Sequence, residues 1–157
     1  MRIGSFQLQP LRHLLPLALL VVFLGSTLLI RHPLIYTNWT SSMPKGLYLP
    51  IRRPLHPGAV VLVPSAVVQN CGLHLPKLLL KRIAFTRGTT ITLNSTGLYA
   101  NGRLVAARVA PIGIMYRGTL RPGQVVVLGE SKRSFDSRYF GPVPSAALRP
   151  VIPILTW

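Results

Sequence analysis

Apolar positions along this chain fall into two regimes. From Leu14 to Ile30 they run together as LLPLALLVVFLGSTLLI, seventeen residues without a charge, bounded by Arg12 and His13 before and Arg31 and His32 after. A helix of that length rises about 25 Å, at the short end of what spans a hydrocarbon core of about 30 Å, so the flanking arginines are expected to snorkel. After this stretch the apolar residues come in short runs punctuated by Pro and Gly. Segments rich in Val, Ile, Leu and Thr predict strands at Ala59–Val63, Leu78–Phe85, Thr89–Leu93, Gly97–Ala100, Leu104–Ala107 and Gln124–Leu128. Asn101-Gly102 is the strongest local turn signal and predicts a hairpin joining Leu98-Tyr99-Ala100 to Arg103-Leu104-Val105. Fifteen prolines argue against a helical domain, because proline removes a backbone donor and clashes in helix interiors. The pattern predicts a mainly β protein with a single N-terminal transmembrane helix. Its expected parts are a short basic cytoplasmic tail over 1–13, an anchor over 14–30 and one small extracytoplasmic domain over 31–157.

A cleavable signal peptide would also open with a basic region and an apolar stretch, but no A-x-A site follows here and Arg31 acts as a stop. Arg2 and Arg12 favour keeping the tail inside. The basic domain that follows does not oppose this, since large domains cross a membrane largely regardless of charge.

Charge narrows the chemistry. The net charge is +16, and the chain's acids are Glu130 and Asp136 alone. Paired-carboxylate catalysis could use only those two, and a metal site would have to draw on them with His13, His32, His56 and His74, two of which flank the membrane segment. No metal and no cofactor is expected. The single cysteine, Cys71, cannot close an internal disulfide and reads as a small apolar core residue. Such basicity suits either an anionic phospholipid surface or nucleic acid. The membrane surface is the preferred partner, because no recognition helix, RNP-like aromatic pattern or zinc module is present.

What remains is nucleophilic catalysis, and the stretch from Asn38 to Tyr48, just past the apolar segment, gathers three hydroxyls in Thr40, Ser41 and Ser42. A serine needs a base. A His/Asp relay could draw only on Asp136 or Glu130 with His56 or His74, and the other option is a lysine held neutral by burial or by neighbouring positive charge. Lys81 suits that need, since a period of two over Leu78–Phe85 puts it on one face with Leu79, Ile83 and Phe85 and turns Arg82 to the other. A charged lysine on an apolar face is costly, which favours the free amine; a lysine snorkelling at a strand edge is the plainer alternative. Ser42-Met43-Pro44-Lys45 also fits S-x-x-K, but that pattern belongs on a helix, and Pro44, Gly46 and Pro50 crowd the lysine.

Three blocks resemble the type I signal peptidases, and within them the TraF-like branch associated with conjugative transfer and pilin maturation. They are Asn38-x-Thr40-x-Ser42-x-Pro44-x-Gly46-x-Tyr48, Lys81-Arg82-Ile83, and Ser134-Phe-Asp136-Ser137-Arg138-Tyr-Phe-Gly141, in the family order. The resemblance implies a small signal-peptidase-like β-sheet catalytic domain on the periplasmic side of a bacterial inner membrane. It implies Ser42 as nucleophile, Lys81 as general base, and Thr40 with the Ser42 N–H as oxyanion donors. Ser134 would hydrogen-bond and aim the Lys81 amine, and Asp136 would pair with Arg82 or Arg138. The implied partner is a membrane-tethered precursor, a pilin, presented as an extended strand; no specific nucleic acid is expected, and the oligomeric state is left open. The chain departs from the pattern at Arg87-Gly88-Thr89, where P-G-D is usual, and at Gly129-Glu130, where G-D is usual. These changes bear on turn geometry and salt bridges rather than on the reaction. A general signal peptidase is the alternative enzyme, and a noncatalytic envelope component of a conjugation or secretion apparatus is the alternative of another class.

Overall fold

A computed structural model describes residues 11–31, 34–68 and 75–157, and the chain divides between Leu34 and Ile35 into two compact units. Cys71, His32 and His74 lie outside the described residues.

In the first unit, helix α1 (Leu11–Arg31) contains the whole of the expected anchor segment and starts three residues before it. From Leu14 to Leu24 every large apolar side chain is more than half exposed. Yet among the described residues no helix is long and apolar enough to cross a membrane. The expected helix is therefore present, while its spanning of a membrane is not shown.

The second unit is β-rich, as the short punctuated runs predicted. It contains β1 (Tyr36–Asn38), β2 (Gly46–Pro50), β3 (Val60–Pro64), β4 (Leu78–Phe85), β5 (Thr90–Leu93), β6 (Gly97–Ala100), β7 (Arg103–Ala107), β8 (Tyr116–Thr119), β9 (Gln124–Leu128), β10 (Val143–Pro144) and β11 (Arg149–Thr156). One turn of helix, α2 (Ser137–Phe140), precedes β10. Seven strands form a sheet in the order β1-β2-β11-β3-β4-β9-β10, and four form a smaller one in the order β7-β6-β5-β8. Neighbours pair antiparallel throughout.

All six predicted strands form, with ends shifted by a residue at most. The Asn101-Gly102 hairpin forms too, its turn residues at φ 48° and 81° between the paired Ala100 and Arg103. Strands β1, β2, β8, β10 and β11 escape a reading based on apolar runs, because they are short or interrupted by proline. Pro150 and Pro153 lie within β11, the latter at a register shift against β2, and Pro50, Pro64 and Pro144 sit at strand ends. These are positions where a missing N–H breaks few ladder bonds.

Strands β4 and β9 are buried on both faces, which explains why both read as nearly continuous apolar runs. Leu79 and Ile83 of β4 and Val125 and Val127 of β9 pack in one cluster with Val61, Phe140 and Val143. Val126 instead joins Ile91, Leu93 and Leu98 of the small sheet. Phe85 packs there too, not on the face of Lys81, Leu79 and Ile83 where strict alternation placed it. The register shift between Ile83 and Phe85 opposite β9 is a bulge, and one extra residue reverses the face.

Candidate active site

Three chain segments converge on one groove of about 250 Å³, whose walls include Thr40, Ser42, Lys81 and Ser134 with Tyr36, Leu79 and Phe135. Strand β1 runs into the loop that carries Ser42, and β4 carries Lys81 at its centre. The loop after β9 brings Ser134.

The Ser42 loop is organised by a residue that the sequence left without a role. Asn38, at the end of β1, is 1% exposed. Its Nδ2 donates to the carbonyls of Thr40 (3.1 Å), Met43 (3.0 Å) and Pro44 (3.0 Å). Its Oδ1 accepts from the Thr40 N–H (3.2 Å) and the Thr40 hydroxyl (2.8 Å). An asparagine two residues ahead of a threonine is the signal for such a side-chain turn, and it could have been weighed on that ground alone. Thr40 Oγ1 lies 2.9 Å from Ser42 Oγ. Tyr48 Oη donates to the Pro44 carbonyl at 2.7 Å, closing the loop from the β2 side. Gly46 is required where the loop enters β2, since a Cβ there would collide with the backbone of Leu155 in β11.

Ser42 is fixed relative to the base-bearing strand through β9. The Glu130 N–H donates to the Ser42 carbonyl at 2.7 Å, and Leu128 pairs with Arg82 next to Lys81. Gly129 lies between these two contacts. A Cβ on it would fall 2.7 Å from the Ser42 carbonyl oxygen and drive into the Ser134 side chain, so Ser42, Ser134 and the β9 end can meet only around a glycine.

Lys81 is 2% exposed, so the apolar-face placement is realised. Burial lowers its amine from 10.5 to about 8; the Asp136 carboxylate opposes the shift and the Arg138 guanidinium adds to it. Ser134 is buried at its side of the groove, and its Oγ has no hydrogen-bond partner among the described residues. The expected Ser134 bond to the lysine is therefore not formed here.

The third block is a structural knot. Asp136 is fully buried and caps α2, its Oδ1 accepting from the Arg138 N–H (3.1 Å) and Nε (2.8 Å). Its Oδ2 accepts from Arg138 Nη2 (3.0 Å) and the Gly129 N–H (2.9 Å). Arg138 Nη1 reaches the Lys132 carbonyl (2.7 Å) and Ala107 (3.3 Å) in β7. The alternatives left open for Asp136 thus resolve to Arg138. Arg82 pairs instead with Glu130 at 2.7 Å on the surface and donates to the Gly58 carbonyl, so it stands outside the groove. Ser137 Oγ accepts from the Val127 N–H, pinning α2 to β9.

At both departures from the family pattern the chain makes defined local contacts. Gly88 takes φ 85° in a turn closed by the Thr89 N–H on the Thr86 carbonyl, and Glu130 supplies the partner for Arg82. A His/Asp relay finds no support among the described residues: Asp136 is saturated by Arg138 and Gly129, and His56 sits on an exposed loop with Nδ1 at 2.8 Å from the Pro57 carbonyl. Lys45 of the S-x-x-K pattern is exposed. Among the described residues no three His, Cys, Asp or Glu side chains cluster as metal ligands.

A lysine amine whose hold on its proton is weakened by burial, lining the same open groove as a serine hydroxyl, is a set of groups suited to acyl transfer. Residues 8–157 match the family described as signal peptidase, peptidase S26, and the chain belongs to that family of serine-type peptidases. Within it the chain is TraF-like. It is 30% and 28% identical to two plasmid transfer proteins TraF of Escherichia coli, each alignment covering 76% of this chain and 82% of the relative. A crystal structure of a signal peptidase I from Enterococcus faecalis V583 also matches, with a TM-score of 0.40 and 24% identity, covering 65% of this chain and 98% of that one.

Proposed function

We propose that this chain is a membrane-anchored serine endopeptidase that cleaves a conjugative pilin precursor, with Ser42 as nucleophile and Lys81 as general base. The observation that carries the reading is the buried Lys81 amine, lowered to about 8, in the same groove as Ser42. Ser42 Oγ attacks the scissile carbonyl, its proton passes to Lys81 Nζ, and the lysine returns it to the leaving amine. Hydrolysis of the acyl-enzyme gives a linear product; attack by an amine of the substrate itself gives a ring. The same pair of residues serves both.

The TraF relatives support the pilin substrate as an inference from kinship. Membrane anchoring is supported by α1, whose surface is apolar over Leu14–Leu24, and the periplasmic side follows from the arginines Arg2 and Arg12 that precede that stretch. In the second unit, exposed Trp39 and Trp157 lie 5.3 Å apart, with exposed Ile154 and Leu155 beside Trp157 in sequence; paired indoles suit a bilayer interface, and the net charge suits anionic phospholipid.

The test is processing of a candidate pilin precursor in membranes carrying wild type, Ser42→Ala, Lys81→Ala or Lys45→Ala, with product masses read by mass spectrometry. Loss in the first two variants alone supports the pair, and a product one water lighter than the linear peptide identifies ring closure. Processing of many unrelated secreted precursors would instead favour a general signal peptidase. Equal processing by all four forms would overturn the assignment in favour of a noncatalytic envelope component.

A further inference from the structure

We propose that Asn38 is a positioning residue that acts through Thr40 on the nucleophile, placing Thr40 where it accepts from the resting Ser42 hydroxyl and from where it can turn to meet the substrate's oxyanion. This rests on the reading of Ser42 and Lys81 above.

The argument is one of proton direction. Three carbonyl oxygens surround Asn38 Nδ2, and carbonyls only accept, so the amide must face them with its nitrogen and face Thr40 with its oxygen. Asn38 Oδ1 in turn can only accept, so the 2.8 Å contact from Thr40 Oγ1 uses the single proton of that hydroxyl. The 2.9 Å contact between Thr40 Oγ1 and Ser42 Oγ then has one possible donor, Ser42. Ser42, Thr40 and Asn38 form a chain of donors running away from the base, and among the described residues no hydrogen bond joins Ser42 Oγ to Lys81 Nζ.

That chain ends on an amide oxygen, which holds no proton to pass on and is too weak a base to keep one. It therefore orients and does not relay. To be attacked, a substrate must present its carbonyl oxygen where a donor can meet the developing charge. Thr40 Oγ1–H can serve only by leaving Asn38, and as it turns, Ser42 loses its acceptor. The Ser42 proton then goes to Lys81 Nζ while Oγ bonds to the carbonyl carbon and the carbonyl π electrons move to oxygen. Thr40 donates a hydrogen bond to that oxygen and transfers no proton. Release of the nucleophile is thus coupled to occupancy of the oxyanion position, and the three Nδ2 bonds set where Thr40 starts.

The experiment is a double-mutant cycle on the full chain in detergent, with hydrolysis of N-acetyl-Ala-Leu-Ala p-nitrophenyl ester as the probe reaction and Ser42→Ala as its background. Asn38→Ala and Thr40→Val are each expected to lower kcat about 10- to 100-fold with KM little changed, and the double variant is expected to be no slower than the slower single one. The pH profile of the residual activity should keep its wild-type limb, since Lys81 is untouched. If Asn38→Ala does not fold, the cycle is run with Asn38→Asp, which keeps an oxygen facing Thr40 and loses the Nδ2 donors. Losses that multiply in the double variant, or a rise in KM with kcat preserved, would reduce Asn38 to a loop brace and overturn the inference while leaving Ser42 in place. Wild-type rates in Ser42→Ala would instead remove the underlying reading.

Discussion

At the scale of single residues the molecule turns on Lys81. Its position in β4 puts a charged group where water is excluded, and desolvation outweighs the attraction of Asp136, leaving the amine at about 8. Acting as proposed, it must be free to accept, so peptidase activity should rise with pH through about 8. A pH–rate profile of kcat/KM tests this, and a flat profile over that window would remove Lys81 as the base. Stability carries the same signature. The folded amine binds its proton only up to about 8 and the unfolded one up to 10.5, so between these values the unfolded chain holds more protons and stability rises with pH. Lys81→Met should flatten that rise in urea titrations taken at several pH values. Lys81→Arg should be as inactive as Lys81→Ala, because a guanidinium stays protonated in this range; retained turnover in Lys81→Arg would contradict the assignment.

At the scale of elements the decisive feature is the end of β9. Two successive residues there do different work: the Gly129 N–H binds Asp136, and the Glu130 N–H binds the Ser42 carbonyl. Lack of a side chain at Gly129 lets Ser134 and the nucleophile loop close over it. Gly129→Ala should therefore separate the groove's walls, costing about 1–3 kcal/mol of stability from overpacking and lowering activity by more than its effect on folding explains. Chemical denaturation and ester turnover measured on the same sample separate the two. A neutral outcome in both would mean that the loop after β9 yields without cost. The same element shows why the third sequence block is so dense in distinctive residues. Asp136 caps α2 and anchors Gly129, Ser137 holds Val127, Arg138 gathers the loop carbonyls, and Phe140 fills the core beneath. Most of the block builds the floor on which the groove stands.

Across the whole molecule, positive charge far exceeds negative, with 18 Lys and Arg against two acids. Both acids are engaged, Glu130 with Arg82 on the surface and Asp136 with Arg138 inside. The buried pair also links the loop after β9 to Ala107 of the small sheet. Asp136→Asn leaves the Arg138 guanidinium buried without its counter-charge and should cost about 3–5 kcal/mol, read as a fall in the urea midpoint. The surface pair should matter far less, so Glu130→Gln is the control. The remaining excess of positive charge is expected to draw the protein to vesicles containing anionic lipid and not to zwitterionic ones, with binding that weakens as salt rises. Binding that ignores both lipid charge and salt would leave the apolar surface as the source of any membrane affinity.

Local pattern and residue chemistry were enough to determine a β-rich domain, six of its strands, the Asn101-Gly102 turn and the apolar setting of Lys81, while the block from Ser134 to Gly141 was legible only through the family resemblance. The former were legible because alternation, turn dihedrals and the scarcity of acids are properties of neighbours in sequence. Contacts between distant segments were decided only in the tertiary structure. Proline-bearing β11 became a strand because β2 and β3 supply partners on both sides, and Phe85 changed face because of a bulge opposite β9. Asp136 chose Arg138 over Arg82 because α2 folds the guanidinium back onto its own cap, while Arg82 points to the surface and Glu130. Asn38, quoted in the first block for its spacing alone, acquired its place from five hydrogen bonds whose direction depends on which carbonyls the folded loop turns inward.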